Sequence, residues 1–423
     1  MIDKSILKTN TKDLRQKLSD RNFDLAKFDE YLKLDHQATT LLRTIERLNE
    51  KRNTLAKQIS LFKQSKEESK FVDAQSEGSK IKKEIDQLQN KYNDVLAQAD
   101  AIYLTIPNLA DDSVPVGKDE SSNLQIWKQG LPRQFSFKPL AHWELATKLG
   151  LADFDRATKV TGSRFVIYKG LGAKLIRALQ YFTLDQHTQK YTEIMPPAII
   201  NEKAFYGSGQ FPKFREDVFK LENTGYYLSS TAEVQLVNYY QNEILEEKDL
   251  PVYFVASIAN YRSEAGSAGR DTKGVIRQHQ FYKTELVKLC KPEKSKTEHE
   301  QMTQDAENIL NLLKLPYQRI VLCTGDMGFS ARKTYDIEVW LPSYESYKEI
   351  SSCSNCGDFQ ARRAKIRYRD AVTKENKYVH TLNGSALAID RLWAAVVENY
   401  QQEDGSIMVP KALVPYMGVE VIK

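Results

Sequence analysis

The stretch Tyr261-Arg262-Ser263-Glu264-Ala265-Gly266-Ser267-Ala268-Gly269-Arg270-Asp271-Thr272-Lys273-Gly274, continuing through Val275 to Leu286, decides how the rest of the chain is read. Ahead of the glycines, Val252, Phe254, Ala256, Ile258, Asn260, Arg262 and Glu264 form one row of a two-residue alternation, which resumes from Val275 to Val287. Two alternating runs joined by a glycine-rich stretch predict a long β-hairpin. Its geometry places Arg262 and Glu264 on one face, and His279, Phe281, Lys283 and Glu285 on one face of the returning strand. A guanidinium fork suits phosphate or carboxylate. Glu264 and Glu285 can accept bonds from an amino group, and Phe281 offers a flat ring for a base to stack on. The loop, with three glycines plus Arg270 and Lys273, has the composition of a basic lid over a polyanion. An ordinary surface hairpin with scattered charges has the same spacing, so function needs the rest of the chain.

Working outward, 423 residues allow two or three domains and a sizeable core. With 41% hydrophobic and 28% charged residues the composition is that of a soluble protein, and a net charge of +5 is compatible with a nucleic-acid partner. The segment Met1-Ile2-Asp3-Lys4-Ser5-Ile6-Leu7-Lys8 has no apolar core of a secretory signal, and no run of 18 apolar residues occurs, so a cytoplasmic protein without a membrane span is expected. Four cysteines make no disulfide framework. Cys353-Ser354-Asn355-Cys356 has the spacing of a zinc knuckle with no second pair, so no structural zinc is expected.

Residues 1 to about 27 predict a short strand and a helix from Asp13 to Ser19. From there Leu34, Ala38, Leu41, Ile45, Leu48, Leu55, Ile59 and Phe62 follow steps of four and three, with Arg52 at the one skipped position. After a polar connector, Lys63 to Lys70, the rhythm returns at Ala74, Gly78, Ile81, Ile85, Leu88, Tyr92, Val95, Ala99 and Ile102. Two consecutive heptad helices can satisfy each other's seams by folding back, which predicts an antiparallel coiled-coil arm. From Leu34 to Phe62 it would span about 43 Å at 1.5 Å per residue. Pro107 stops the second helix and Asn108 to Asp119 is a polar linker, which divides the chain into an arm, 1–107, and a second domain, 108–423. Within the latter, helices are expected at Trp143 to Leu149, Lys174 to Lys190 and Glu300 to Leu313, and a strand at Tyr191 to Pro197. The basic run Arg362, Arg363, Lys365, Arg367, Arg369 reads as a strand with Lys365, Arg367 and Arg369 on one face.

The run from Arg262 to Thr272, followed by Arg277-Gln278-His279-Gln280-Phe281, resembles the second signature motif of class II aminoacyl-tRNA synthetases in its seryl form, bacterial type. Other stretches agree in order. The helix before Tyr191-Thr192-Glu193-Ile194-Met195-Pro196-Pro197 resembles the first motif, which in the family forms a dimer interface. Thr231-Ala232-Glu233 resembles the segment lining the amino-acid pocket. Glu349-Ile350-Ser351-Ser352 resembles the run that holds ATP and its metal, and Leu382-Asn383-Gly384-Ser385 through Asp390-Arg391-Leu392 resembles the third motif, read as a small-residue turn entering a helix. The family carries a two-helix N-terminal arm that reaches the long variable arm of tRNA.

The resemblance implies an α+β fold: a class II antiparallel β-sheet flanked by helices, with the coiled-coil arm projecting, in a homodimer. It implies ATP-dependent activation of L-serine to seryl-adenylate and transfer to the 3′ end of tRNA(Ser), and leaves open whether tRNA(Sec) is also served. Arg262, Arg391 and Glu349 are then the catalytic residues. Serine is bound by Thr231, Ala232, Glu233, Arg262, Glu285, Asn383 and Ser385. ATP is bound by Arg262, Ser263, Glu264, Gln278, Phe281, Glu349, Ile350, Ser351, Ser352 and Arg391, with Mg²⁺ on Glu349 and Ser352. Hard oxygen donors suit Mg²⁺, which needs only one or two protein groups when phosphates supply the rest. The chain departs from the family at Ser230 and Gln235, where prolines flank Thr-Ala-Glu, across Ala256 to Tyr261, which lacks Thr-Pro-Cys-Phe, and at Ala386 and Asp390, which replace glycines. Two further readings are a ligase loading an amino acid onto a carrier protein, disfavoured by the intact arm, and a non-catalytic tRNA-binding paralogue, disfavoured by Arg262, Glu285, Glu349 and Arg391.

Overall fold

The heptad seam builds two long helices. In the computed structural model, which describes residues 1–265 and 273–423, helices α1 (Lys4–Thr9) and α2 (Lys12–Asp20) precede α3 (Leu25–Gln64) and α4 (Glu68–Tyr103). The expected first strand is a helix, because the Asp3 carboxylate accepts the Ser5 N–H at 2.7 Å and caps α1. Asp24 caps α3 in the same way. The turn shrinks to Ser65–Glu67, since the heptad continues almost to it. The seam residues Ile45, Leu55, Ala74, Ile81 and Ile85 are buried together with Leu48, Ile59 and Leu88 beside them. Lys51 pairs with Glu77 at 2.7 Å and Tyr31 stacks on Tyr103, partners that mirror each other across the turn, so the helices run antiparallel. Helix α3, with 40 residues, is about 60 Å long. This unit comprises Asp3–Ser19 and Phe23–Ile106, and a second comprises Met1–Ile2, Asp20–Asn22 and Pro107–Lys423.

The second unit is built on one sheet of eight strands: β1 (Leu124–Gln129), β2 (Thr192–Glu193), β3 (Val252–Tyr261), β4 (Gln280–Cys290), β5 (Tyr317–Val321), β6 (Lys333–Leu341), β7 (Ser346–Gly357) and β8 (His380–Ala388). Their order is β1-β5-β6-β7-β8-β4-β3-β2. All neighbours are antiparallel except β2, which runs parallel to β3. Helices α5 (Leu171–His187), α6 (Ser295–Leu312) and α7 (Ile389–Asn399) pack against it. Leu179, Val255, Leu286, Ile309, Ile337 and the fully buried Trp393 form one continuous apolar core. The expected hairpin is β3–β4. Gly266, Gly269 and Arg270 of the basic loop lie outside the described residues.

Three local expectations change. The strand at Tyr191 to Pro197 is only two residues long, because Pro196 and Pro197 offer no ladder N–H. The small residues of the third motif form strand β8 instead of a turn, with Arg391 in the first turn of α7. They are small for packing: a Cβ on Gly384 would lie 2.8 Å from Cys353 Sγ and 3.1 Å from Met302 Sδ. The basic run divides, with Arg362 and Arg363 in the helix Phe359–Ala364, Lys365 at a positive φ of 57°, and Arg367–Arg369 in a separate three-stranded sheet.

A buried polar anchor ties this scaffold to the returning end of the hairpin loop. His142 and Glu398 side chains are fully buried; His142 Nδ1 lies 2.6 Å from Glu398 Oε1, and its Nε2 accepts the Val275 N–H at 3.1 Å. An acceptor at Nε2 requires the proton at Nδ1, where the carboxylate receives it. Glu398 also accepts from the Ser343 N–H and hydroxyl. Gly274, at φ 72°, is needed beside it, because a Cβ there would lie 2.1 Å from His142 Nε2. Replacing His142 by alanine leaves a buried carboxylate and a buried N–H short of partners. Urea unfolding of His142→Ala is expected to show a loss of about 3–5 kcal/mol; a loss within about 0.5 kcal/mol would show the anchor to be dispensable.

Candidate functional site

One cleft of about 330 Å³ gathers most of the charged residues named above. The β3–β4 hairpin and its returning loop supply Arg262, Glu264, Gln278, Phe281 and Glu285. Strand β7 supplies Glu349, Ile350 and Ser352, β8 supplies Asn383 and Ser385, α7 supplies Arg391, and Glu233 enters from the short helix Glu233–Val237. Arg262 lies just past the end of β3. Its Nε donates to the Ser230 carbonyl at 3.2 Å and its guanidinium sits 5.2 Å from the centre of the Phe281 ring, a cation–π approach that fixes the fork. Glu264 is engaged by Arg277, Nη1 to Oε2 at 2.6 Å. His279 leaves the expected row: it borders Phe165 and Phe219, with Nδ1 2.9 Å from the Arg262 carbonyl. It lies beyond the regular end of β4, where alternation no longer applies.

At one end of the cleft two carboxylates lie together, Glu285 buried and Glu233 half-buried. Glu285 is 2% exposed; its Oε2 lies 2.5 Å from Lys283 Nζ and 3.4 Å from Thr231 Oγ1. Glu233 accepts from Gln360 Nε2 at 2.6 Å. Burial first, and the charge of Glu285 second, raise its pKa to about 7. Ser385 faces Glu285 across the β8–β4 pairing, and Asn383 Nδ2 approaches Cys356 Sγ at 3.4 Å. Such a pocket can bind an ammonium group and a small hydroxyl together.

The other end is built for phosphate and a hard cation. Arg391 donates from Nε to the Ile276 carbonyl at 3.1 Å and from Nη1 to the Glu349 carbonyl at 2.5 Å, with Glu349 Oε2 at 3.5 Å. Glu349 faces Glu338 and Ser352 faces Asp336 across β6–β7. Burial and then the charge of Glu349 push Asp336 well above the usual carboxylate range, and its buried Oδ1 has no partner among the described residues. Crowded carboxylates with an orphaned oxygen beside Ser352 fit a divalent cation. Among the described residues no group of three or more His, Cys, Asp or Glu gathers as a metal cage. Cys353 and Cys356 are buried free thiols.

Four of the named residues, Thr231, Ala232, Ser263 and Ser351, stand outside this lining. Ala232 is fully buried in an apolar cluster, the Ser263 hydroxyl donates to the Glu216 carbonyl at 2.5 Å, and Ser351 is turned to the Ser385 carbonyl. Thr231 is behind Glu285, and its Oγ1 accepts the Glu233 N–H. Sequence reasoning gave no role to Lys283, Arg277, Tyr282, Asp336 and Asp390. Lys283 and Arg277 had a signal, a charge within the alternating or motif residues. Asp390 had one too, a carboxylate where the family has glycine. Asp336 and Tyr282 had none, because their place depends on pairing with strands distant in sequence.

Residues 1–110 match the model of the seryl-tRNA synthetase N-terminal domain, and residues 218–400 that of the class II tRNA synthetase core domain (G, H, P, S and T). The chain is 59% identical to the serine–tRNA ligase of Mycoplasmoides gallisepticum over 423 residues, all of both chains, and 52% identical to that of Carboxydothermus hydrogenoformans over 424 residues, 100% of this chain and 99% of the other. Its fold is similar to that of the seryl-tRNA synthetase of Pyrococcus horikoshii solved with ATP, with a TM-score of 0.92 and 37% identity over 100% of this chain and 99% of that one. With both family models in sequence order and relatives matched end to end, the chain belongs to the seryl-tRNA synthetase family of class II.

Proposed function

We propose that the chain is a serine–tRNA ligase of the cytoplasm, acting as a homodimer, that activates L-serine with ATP and passes the seryl group to the 3′ end of tRNA(Ser). The observation that supports this most directly is a single cleft in which two guanidinium groups, Arg262 and Arg391, share space with the paired carboxylates Glu233 and Glu285. Activation joins two anions: a serine carboxylate oxygen bonds to the α-phosphorus of ATP while the bond from that phosphorus to the β-phosphate bridging oxygen breaks and pyrophosphate leaves. No protein nucleophile is needed, so position and counter-charge are the chain's contribution. Arg262 spans the serine carboxylate and the α-phosphate, held by Ser230 and Phe281. Arg391 meets the γ-phosphate, and Phe281 with Glu264 holds the adenine. Glu349 and Ser352 would hold Mg²⁺, which when bound offsets pyrophosphate charge.

Serine is chosen by its polar groups. Glu233 and Thr231 take the ammonium, and Glu285 and Ser385 bond the hydroxyl. Alanine would leave that buried pair unmatched, which discriminates far better than a missing methylene does. The heptad arm, residues 1–107, takes the tRNA, as a long rigid helical pair suits a long RNA element. The exposed Tyr181, Met195 and Ile199 near α5 and β2 are apolar surface suited to a second copy.

Arg262→Ala should keep its circular dichroism and lose serine-dependent pyrophosphate exchange by about 10²–10³-fold; full exchange would remove Arg262 from this role. The carboxyl of Glu233, moved from 4.5 to about 7, gives a signed pH effect. Only the ionised form holds an ammonium, so the KM for serine should fall about tenfold from about pH 6 to pH 8, and Glu233→Gln should flatten that profile. The same shift means that the folded protein binds more protons than the unfolded chain between these two values, so stability without serine declines as pH rises through that window. Replacing residues 34–95 by a short linker should preserve exchange and abolish charging of tRNA(Ser), measured as acid-precipitable serine with tRNA(Sec) assayed alongside; undiminished charging would show that the arm is not the tRNA lever.

A further inference from the structure

Lys283 borders the cleft and has no role in the steps above. It stands two residues before Glu285 on β4, so both side chains leave the same face of the sheet. On the β8 side their neighbours are short, Ser385 opposite Glu285 and Ala388 opposite Lys283. The two long side chains therefore have room to bend together, and Lys283 Nζ lies 2.5 Å from Glu285 Oε2. The Thr231 hydroxyl reaches the same oxygen at 3.4 Å. Both charged residues line the cleft, yet Lys283 is only 8% and Glu285 only 2% exposed. A pair so removed from water adds little stability over apolar side chains of the same size. Its effect on a ligand is large, because charge acts strongly where water is scarce.

The charges at this end of the cleft divide into two sets. Glu233 is bonded to the neutral amide of Gln360 and Arg262 to the neutral Ser230 carbonyl, so each keeps its charge for a ligand. A zwitterion supplies the complement of both, its ammonium for Glu233 and its carboxylate for Arg262. Lys283 and Glu285 neutralise each other instead. What they leave is a lining that is polar and uncharged as a whole, with Ser385 facing Glu285, and a hydroxyl matches it. An ammonium in the hydroxyl's place would share one carboxylate with Lys283, two cations on one anion with little water to screen them. Without Lys283 the balance reverses. Glu285 would then be a buried anion with no cation, and would itself call for an ammonium.

We infer that Lys283 is a specificity-determining residue: by occupying Glu285 it makes the pocket accept an uncharged hydroxyl side chain and reject an amino acid that carries a second ammonium in that place. This rests on the reading that the cleft takes serine with its hydroxyl on Glu285. It adds a discrimination by charge, directed against L-2,3-diaminopropionate, which is serine with an ammonium in place of the hydroxyl and nearly the same size. Size alone could not exclude that competitor.

The test measures binding of L-serine, L-alanine and L-2,3-diaminopropionate by isothermal titration to the full-length protein, Lys283→Met and Lys283→Arg, with serine-dependent pyrophosphate exchange alongside. Titration at about pH 6.5 keeps both amino groups of diaminopropionate protonated. Alanine is the reference because it shares the α-ammonium, so the influence of Lys283 on the Glu233 carboxyl cancels in the comparison. The unaltered protein should bind serine best and diaminopropionate at least about tenfold more weakly than alanine. In Lys283→Met that last order should reverse, while Lys283→Arg, which keeps the charge, should retain it. A lysine with a merely structural role would weaken all three ligands alike. Diaminopropionate binding the unaltered protein as tightly as alanine, an unchanged order in Lys283→Met, or the same reversal in Lys283→Arg overturns the inference. Lys283→Gln takes the place of Lys283→Met if the latter does not fold. Serine binding without serine-dependent exchange overturns the ligase reading alone, whereas no serine binding by the unaltered protein overturns both.

Discussion

Ten residue pairs between β3 and β4, from Val252 and Leu289 to Tyr261 and Gln280, set the alternation on which the cleft depends. Side chains in a strand have period two, so a one-residue slip would send Phe281, Lys283 and Glu285 to the opposite face. The slip is prevented from both faces of the sheet and both flanks of the hairpin. Val255 and Leu286 belong to the main core while Ala256 and Val287 belong to a second cluster, and β8 pairs along β4 so that Ser385 meets Glu285. The hairpin is thus a central element of the sheet, and the residues that it carries are as rigid as the core beneath them.

The electrostatics of the cleft follow from that rigidity. Glu285 is removed from water and Glu233 is half-buried beside it, which raises the energy of their ionised forms, and Lys283 at 2.5 Å offsets the charge of Glu285. Arg262 is held by a carbonyl and an aromatic face, so it needs no reorganisation when a charge arrives. At the far end Asp336, Glu338 and Glu349 repel one another and leave one oxygen unmatched. Such crowding of carboxylates at the edge of the cleft costs stability. Its natural complement is a cation brought with a phosphate ligand.

Asp390 shows how a departure from the family pattern becomes a structural part. A glycine at the start of α7 would leave the Tyr282 N–H and the Gln278 amide to find other partners. The carboxylate satisfies both and adds Tyr168, which links α7 to β4 through hydrogen bonds where the strand ladder ends. Arg391, the next residue, inherits the resulting position.

The arm was legible from heptad spacing alone, because a coiled coil is a one-dimensional problem in which each residue's partner follows from its place in the repeat. The hairpin was legible from alternation, and the chemistry of Arg262, Glu285, Glu349 and Arg391 from motifs whose residue types state their partners. Only the tertiary structure decided the rest. The small residues around Gly384 read as a turn because local propensity carries no record of Cys353 and Met302 pressing on them. His279 left its row because regular pairing stops at Gln280. The approach of Glu349 to Asp336 and Glu338, the His142–Glu398 anchor and the donors to Asp390 bring together residues as far as 256 positions apart in the chain. Charge pairing and burial act through space, so no periodicity along the chain could have announced them.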